Sequence, residues 1–369
     1  VFITAWFLSP EVYLVREDKD GEIFLDERSR LDTLLCTLAE RGVRVFVLPW
    51  NETKIVMDLG SARVKEQLEA LHKNIFVLLH PLVAPVKWSH HQKVVVVDQE
   101  IAFVGGLDLA FGRYDDCAHV LRDDAAHSTY NSLGGQAMPR WPGKDYYNPS
   151  VCQFEEAFEP WHDSVDRFDE PRMGWHDVHM SVDGMAARDV AYNFIQRWNH
   201  HKEVLQAPAR YPYLLPKTKL VQTTGTTRCQ VLRSLGDWSG GLGHYHEASI
   251  HAAYLHAIDT AEHFVYIENQ YFISSLAGTG VHNRVAQCIL ERVTRAIHLD
   301  ERFRVIIVLP VHPEGNLRDP DPQQQDHSIR YVMQWQAKTI CSGEGSLLGA
   351  LRDRFPGTDI GRDISFHSL

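Results

Sequence analysis

The 369-residue chain has no run of about 18 apolar residues, which argues against a membrane-spanning helix. No signal peptide is visible. Its six cysteines, Cys36, Cys117, Cys152, Cys229, Cys288 and Cys341, include no C-x-x-C pair. They sit mostly in apolar context, so a disulfide framework is not expected and free thiols in a reducing compartment are. The 21 histidines contain no H-E-x-x-H and no clustered His/Cys spacing, and so offer no recognisable metal site. A positive charge balance is also lacking: the formal charge of −11 speaks against a general nucleic-acid binder. The first residue is Val1 and a strand-like run begins at once, so a piece of a longer protein is expected. What is present, 44% hydrophobic and 23% charged residues, is ordinary for a globular protein with room for about two domains.

Strand-like and helix-like stretches alternate. Residues 1–8, 43–48, 74–79, 88–98 and 101–104 read as strands, and residues 28–41, closed by Gly42, and 61–72 as helices. A helix over 186–200 follows. Farther on, residues 263–273, 304–309 and 363–369 read as strands, and 247–260, 281–298, 328–341 and 346–354 as helices. The alternation predicts an α/β fold.

The stretch from Trp88 to Asp116 is the most informative. It holds His91, Lys93 and Asp98 in the spacing H-x-K-x-x-x-x-D, four consecutive valines at 94–97, then Gly105-Gly106 and Asp108. Valine-rich sequence favours a buried strand, and alternation along it places His91 and Lys93 on one face. An imidazole beside a cation suits chemistry on an anion. Asp98 falls on the opposite face of a regular strand, which suits a structural role. Gly105 and Gly106 let a backbone approach a ligand closely.

The chain also repeats itself. Residues 2–9 parallel 266–274, and residues 44–49 parallel 304–310, with residues 74–77 then matching the strand near Ile364. No second H-x-K-x-x-x-x-D accompanies the repeat: His200-His201-Lys202 is followed by Ala207 where the aspartate belongs. Between Arg188 and Arg233 eight cations face two acids, interleaved with Trp198, Tyr211 and Tyr213. Such a segment suits anionic lipid headgroups, each cation adding about 1 kcal/mol near a bilayer. Residues 115–172 form a long loop region rich in aromatic and turn residues.

These motifs resemble the phospholipase D superfamily, and more narrowly the catalytic core of the eukaryotic phosphatidylcholine-specific enzymes. Residues 3–10, 88–116, 142–148, 172–177, 188–198 and 267–270 carry the resemblance, which runs over essentially the whole chain. It implies a fold of two pseudo-twofold-related lobes of mixed sheet flanked by helices, the second incomplete here. It implies a first lobe at 1–205 with the motif, a basic connecting segment at 206–245, and the N-terminal part of a second lobe at 246–369. It implies hydrolysis of phosphatidylcholine to phosphatidic acid and choline through a phosphohistidine, with transfer to primary alcohols. The catalytic set becomes His91, Lys93, Asp98, Asp108, Glu268 and Asn269, with His91 taken as nucleophile. Gly105, Gly106, Trp175, His176 and Asp177 become substrate-binding, and Arg197, Trp198, Lys202, Arg210 and Lys217 phosphoinositide-binding.

The resemblance requires no metal or other cofactor for the chemistry and implies a phosphoinositide as activator. Its partners are a phospholipid membrane surface, phosphatidylcholine, anionic phosphoinositides and small GTPase regulators, with no nucleic acid. It also implies a cytoplasmic location, peripheral to a membrane. Family members join two such motifs, so the chain alone is expected to be inactive. Two other readings remain: another phosphodiesterase or nuclease on the same fold, and a truncated, non-catalytic lipid-binding module.

Overall fold

The computed structural model describes residues 1–369 apart from 20–21, 53–58, 83–88, 123–138, 152–158, 219–224, 277–280, 311–314, 316–326, 344 and 369. Trp88, Cys152, Lys219, most of residues 311–325 and parts of the aromatic loop at 115–172 therefore lie outside the described residues. In chain order the elements are β1 (Phe2–Ala5), β2 (Arg16–Lys19), β3 (Glu22–Leu25), α1 (Leu31–Glu40), β4 (Val45–Pro49), α2 (Ser61–Leu71), β5 (Ile75–Val77), β6 (Lys93–Val97), β7 (Ile101–Gly105), β8 (His179–Asp183), α3 (Gly184–Val204), β9 (Ser234–Leu235), α4 (Asp237–Gly240), β10 (Glu247–Ala248), α5 (Ser249–Thr260), β11 (Phe264–Glu268), α6 (Val285–His298), β12 (Arg304–Leu309), α7 (His327–Ile340), α8 (Leu347–Arg354) and β13 (Ile364–Ser368).

The chain forms two compact units, Val1–Val231 with Leu235–His246, and Leu232–Ser234 with Glu247–Leu369. The first is built on a six-stranded sheet in the order β5-β4-β1-β6-β7-β8. β5, β4 and β1 run parallel, and β6, β7 and β8 continue antiparallel. Its parallel strands β1, β4 and β5 are apolar and buried on both faces, as strands covered on both sides must be. Ile3, Ala5, Val45, Val47, Ile75 and Val77 pack on Leu31, Leu35 and Ala39 of α1 and on Val64 and Leu68 of α2. On the other face Phe2, Phe46, Phe76, Val94, Val96 and Ala102 meet Ala187, Val190, Phe194 and Trp198 of α3.

The second unit carries a parallel sheet in the order β11-β12-β13. Its core joins Val305, Ile307, Leu309 and Ile364 to Ile289 and Val293 of α6 and Leu347 and Leu351 of α8. The repeat read in the sequence is a repeat of sheet order and of register. Phe2 pairs with Phe46 and Ile3 with Val47, and at the matching positions Tyr266 pairs with Ile306 and Ile267 with Ile307. The third strands agree as well: Val45 pairs with Ile75, and Val305 with Ile364.

Three expectations change. Of the strand expected at 88–98, the described residues form β6 from Lys93, where its ladders end: Val94 pairs with Thr4, and Lys93 with Gly105, the last residue of β7. The antiparallel β2–β3 pair and β8 add to the expected strands; their charged or mixed sequences lack strand alternation. The segment at 206–245 is not a mere connection: Tyr211 and Leu214 are buried in the core against α3, and nearly all of it belongs to the first unit.

Candidate active site

The site forms where the end of β1, the start of β6 and the β7–β8 pair meet. Register explains the grouping. Lys93 pairs with Gly105, and Gly105 pairs with His179, so the three lie in line across adjacent strands and share a face. The middle position has no side chain. A Cβ on Gly105 would overlap the Val178 carbonyl and the His179 ring, and one on Gly106 would overlap the Asp177 carboxylate. The two glycines thus bring Asp177 and His179 against the strand that faces Lys93.

Lys93 and Asp108 form a buried ion pair, Nζ to Oδ2 at 3.0 Å, with side chains 7% and 1% exposed. The other Asp108 oxygen accepts the backbone N–H of Trp6 at 2.9 Å. Asp108 therefore ties the end of β1 to Lys93. The Trp6 ring lies 5.5 Å from the His91 ring and 5.8 Å from Lys93 Nζ, an apolar neighbour of both side chains.

Burial holds Lys93 below the ordinary lysine range, and the Asp108 carboxylate works against that shift. His91 is held down to about 4, first by the protein packed around it and then by the Lys93 charge, with Arg113 adding and Asp108 opposing. His91 is nevertheless among the exposed residues, so solvent offsets part of that burial. At neutral pH the imidazole is uncharged and has a lone pair available for attack. His179 is also pushed down by burial, against Asp177 and Asp108, and its Nδ1 accepts the Leu107 N–H at 3.3 Å. That bond puts the proton of the neutral ring on Nε2.

Arg113 is buried and stacks on Trp175, with its guanidinium carbon 3.9 Å from the ring centroid. The Trp175 backbone N–H donates to Asp115 Oδ2 at 2.8 Å, and Asp115 also accepts Arg172. Trp175 thus stands behind the site as the support for a cation. His176 is exposed and packs toward His119, with ring centroids 6.2 Å apart.

The structure brings together His91, Lys93, Gly105, Gly106, Asp108 and Asp177. It does not bring Asp98 to them. Asp98 sits at the far end of β6 with φ of 53° beside Gln99 at 58°, and the Glu100 N–H donates to Val97 O at 3.0 Å. This is the type I′ turn of a hairpin, which aspartate tolerates. Glu268 and Asn269 lie in the second unit, where Glu268 Oε2 accepts the Tyr266 hydroxyl at 2.7 Å and the Asn269 N–H donates to Val308 O at 3.2 Å.

Arg197 and Trp198 require correction. Both are 0% exposed, Trp198 in the core and Arg197 behind β6, so neither is placed to meet a headgroup at a membrane surface. Lys202, Arg210 and Lys217 do reach the surface, where each has a neighbour. Lys202 Nζ donates to Ala207 O at 3.3 Å, Arg210 pairs with Glu69 at 2.7 Å and Lys217 with Glu100 at 2.8 Å. Among the described residues no group of three His, Cys, Asp or Glu side chains is arranged to hold a metal ion. The sequence reading missed Trp6, Arg113 and His179. Only the pairing register, not spacing along the chain, reveals His179.

Residues 1–354 match a family model described as Phospholipase D. The chain is 47% identical over its whole length to Phospholipase D A of Dictyostelium discoideum, of which it covers 27%. It is 38% identical, again over its whole length, to Phospholipase D1 of Schizosaccharomyces pombe, covering 27%. Over 95% of the chain it is 39% identical to Phospholipase D2 of Bos taurus, covering 39%. The chain thus spans between about a quarter and two fifths of these curated relatives.

Proposed function

The chain belongs to the phospholipase D family, and on that premise we propose that it supplies half of an active site that hydrolyses phosphatidylcholine to phosphatidic acid and choline. The observation that carries this reading is the neutral His91 imidazole grouped with the buried Lys93–Asp108 pair. His91 attacks phosphorus and its new P–N bond replaces the bond to the choline oxygen. The departing oxygen takes a proton from a second imidazole, which then removes a proton from water, or from a primary alcohol, as that oxygen displaces His91. Lys93 offsets charge on the non-bridging oxygens, and Asp108 fixes where its ammonium stands.

The second imidazole–lysine pair comes from a partner lobe. In the first unit β6 pairs antiparallel with β1 and brings in His91 and Lys93. Among the described residues no strand occupies the matching edge of β11. The repeat predicts that a second H-x-K strand pairs there, supplied by further sequence or by another chain. Alone, the 369 residues are expected to release no choline.

Membrane docking through Lys202, Arg210 and Lys217 accompanies this reading, with a phosphoinositide as activator, a small GTPase as regulator and a peripheral cytoplasmic location. No described helix is long and apolar enough to cross a membrane. Choline release from phosphatidylcholine vesicles, measured beside DNA cleavage, tests the substrate class. The proposal predicts choline release when a second H-x-K lobe is supplied, and a loss of about a thousandfold or more with His91→Ala. Cleavage of DNA instead, or choline release indifferent to His91, would contradict it.

A further inference from the structure

We propose that Arg197 and Asn193, on the buried face of α3, are positioning residues that hold His91 and Lys93 through Gln92. The inference rests on reading His91 and Lys93 as reactive groups. Gln92 lies between them, just before β6 begins, where the sheet ladder no longer fixes the backbone. Its side-chain oxygen accepts two hydrogen bonds, from Arg197 Nη1 at 3.0 Å and Asn193 Nδ2 at 2.9 Å. Its backbone carbonyl accepts a third, from Thr4 Oγ1 at 3.1 Å. β1 and α3 thus grip one residue from two sides. His91 and Lys93, its immediate neighbours, point to the opposite side, toward Trp6.

The surroundings of Arg197 support a dedicated role. A guanidinium at 0% exposure is costly, and Arg197 lies among His80, His90 and His201, all buried and all held neutral partly by its charge. An apolar side chain would fill that volume at less cost. What the arginine adds is a rigid planar donor aimed at Gln92, a geometry lysine does not reproduce. A carboxylate at position 92 would accept the same two donors, so Gln92→Glu keeps the clamp while Gln92→Ala removes it.

The test is amide hydrogen exchange of the 369-residue chain, with NMR titration of the His91 ring. In Gln92→Ala, exchange at residues 91–93 should accelerate by about tenfold while β4 amides stay unchanged. The His91 pKa should rise toward the ordinary value as the ring loses its packed surroundings and the Lys93 charge. Gln92→Glu should retain slow exchange, and Asn193→Ala, which removes one donor, should fall between. Should Gln92→Ala not fold, Asn193→Ala against wild type decides the matter. Wild-type exchange and titration in Gln92→Ala, or loss of protection in Gln92→Glu, would overturn the proposal. None of these readouts uses catalysis. A protein with an intact clamp and no reaction at His91 would count against the proposed function alone.

Discussion

At the scale of single residues, the site is organised by where charge is buried. The Lys93–Asp108 pair is almost fully enclosed, so removing one partner leaves the other charge unpaired. Asp108→Ala should destabilise the first unit by about 3 kcal/mol, read from urea unfolding, and should also free the Trp6 N–H. A shift within experimental error would mean that Lys93 finds another partner. The buried imidazoles act on pH dependence with a definite sign. His80 is held down to about 3, and His90 and His201 well below the ordinary value, by burial first and Arg197 second. The unfolded chain takes up protons at these rings below about pH 6.5 while the folded chain does not. Their contribution is complete above about pH 6.5 and is lost as pH falls, at about 1.4 kcal/mol per unit for each ring that stays neutral. Unfolding midpoints should drop between pH 7 and pH 5, and less steeply in His80→Gln.

At the scale of elements, the strands that build the site were only partly legible. Four valines marked β6, and Gly105-Gly106 marked the end of β7. The register Lys93–Gly105–His179 was not legible, because 73 residues separate Gly105 from its partner His179, and loop residues intervene. The motif also misled in one place: Asp98 belongs to the spacing pattern yet serves a hairpin turn. Arg197 and Trp198 misled similarly, since a basic, aromatic helix reads the same in sequence whether its cations face lipid or core. Gly105 provides the check on register. Gly105→Ala would press its methyl into the backbone of β8 and the His179 ring, and should cost about 2–3 kcal/mol. A stable variant with an unaltered His179 titration would contradict the placement of β8.

At the scale of the molecule, the repeat was legible in the sequence, and matching strand pairs reproduce the same register in both units. Each unit has its own core. Ile307→Ala, at a fully buried β12 position, should cost about 2–5 kcal/mol, with faster exchange confined to residues 247–369. Equal acceleration in β4 would mean that the units unfold as one.

In the proposed reaction His91 becomes covalently bonded to phosphorus. With a second H-x-K lobe supplied, the protein should be quenched during turnover on phosphatidylcholine vesicles and its peptides mapped by mass spectrometry. An acid-labile phosphatidyl adduct on His91 is expected, absent from His91→Asn together with choline release. Choline release that persists in His91→Asn, or an adduct on another residue with His91 unmodified, would contradict it.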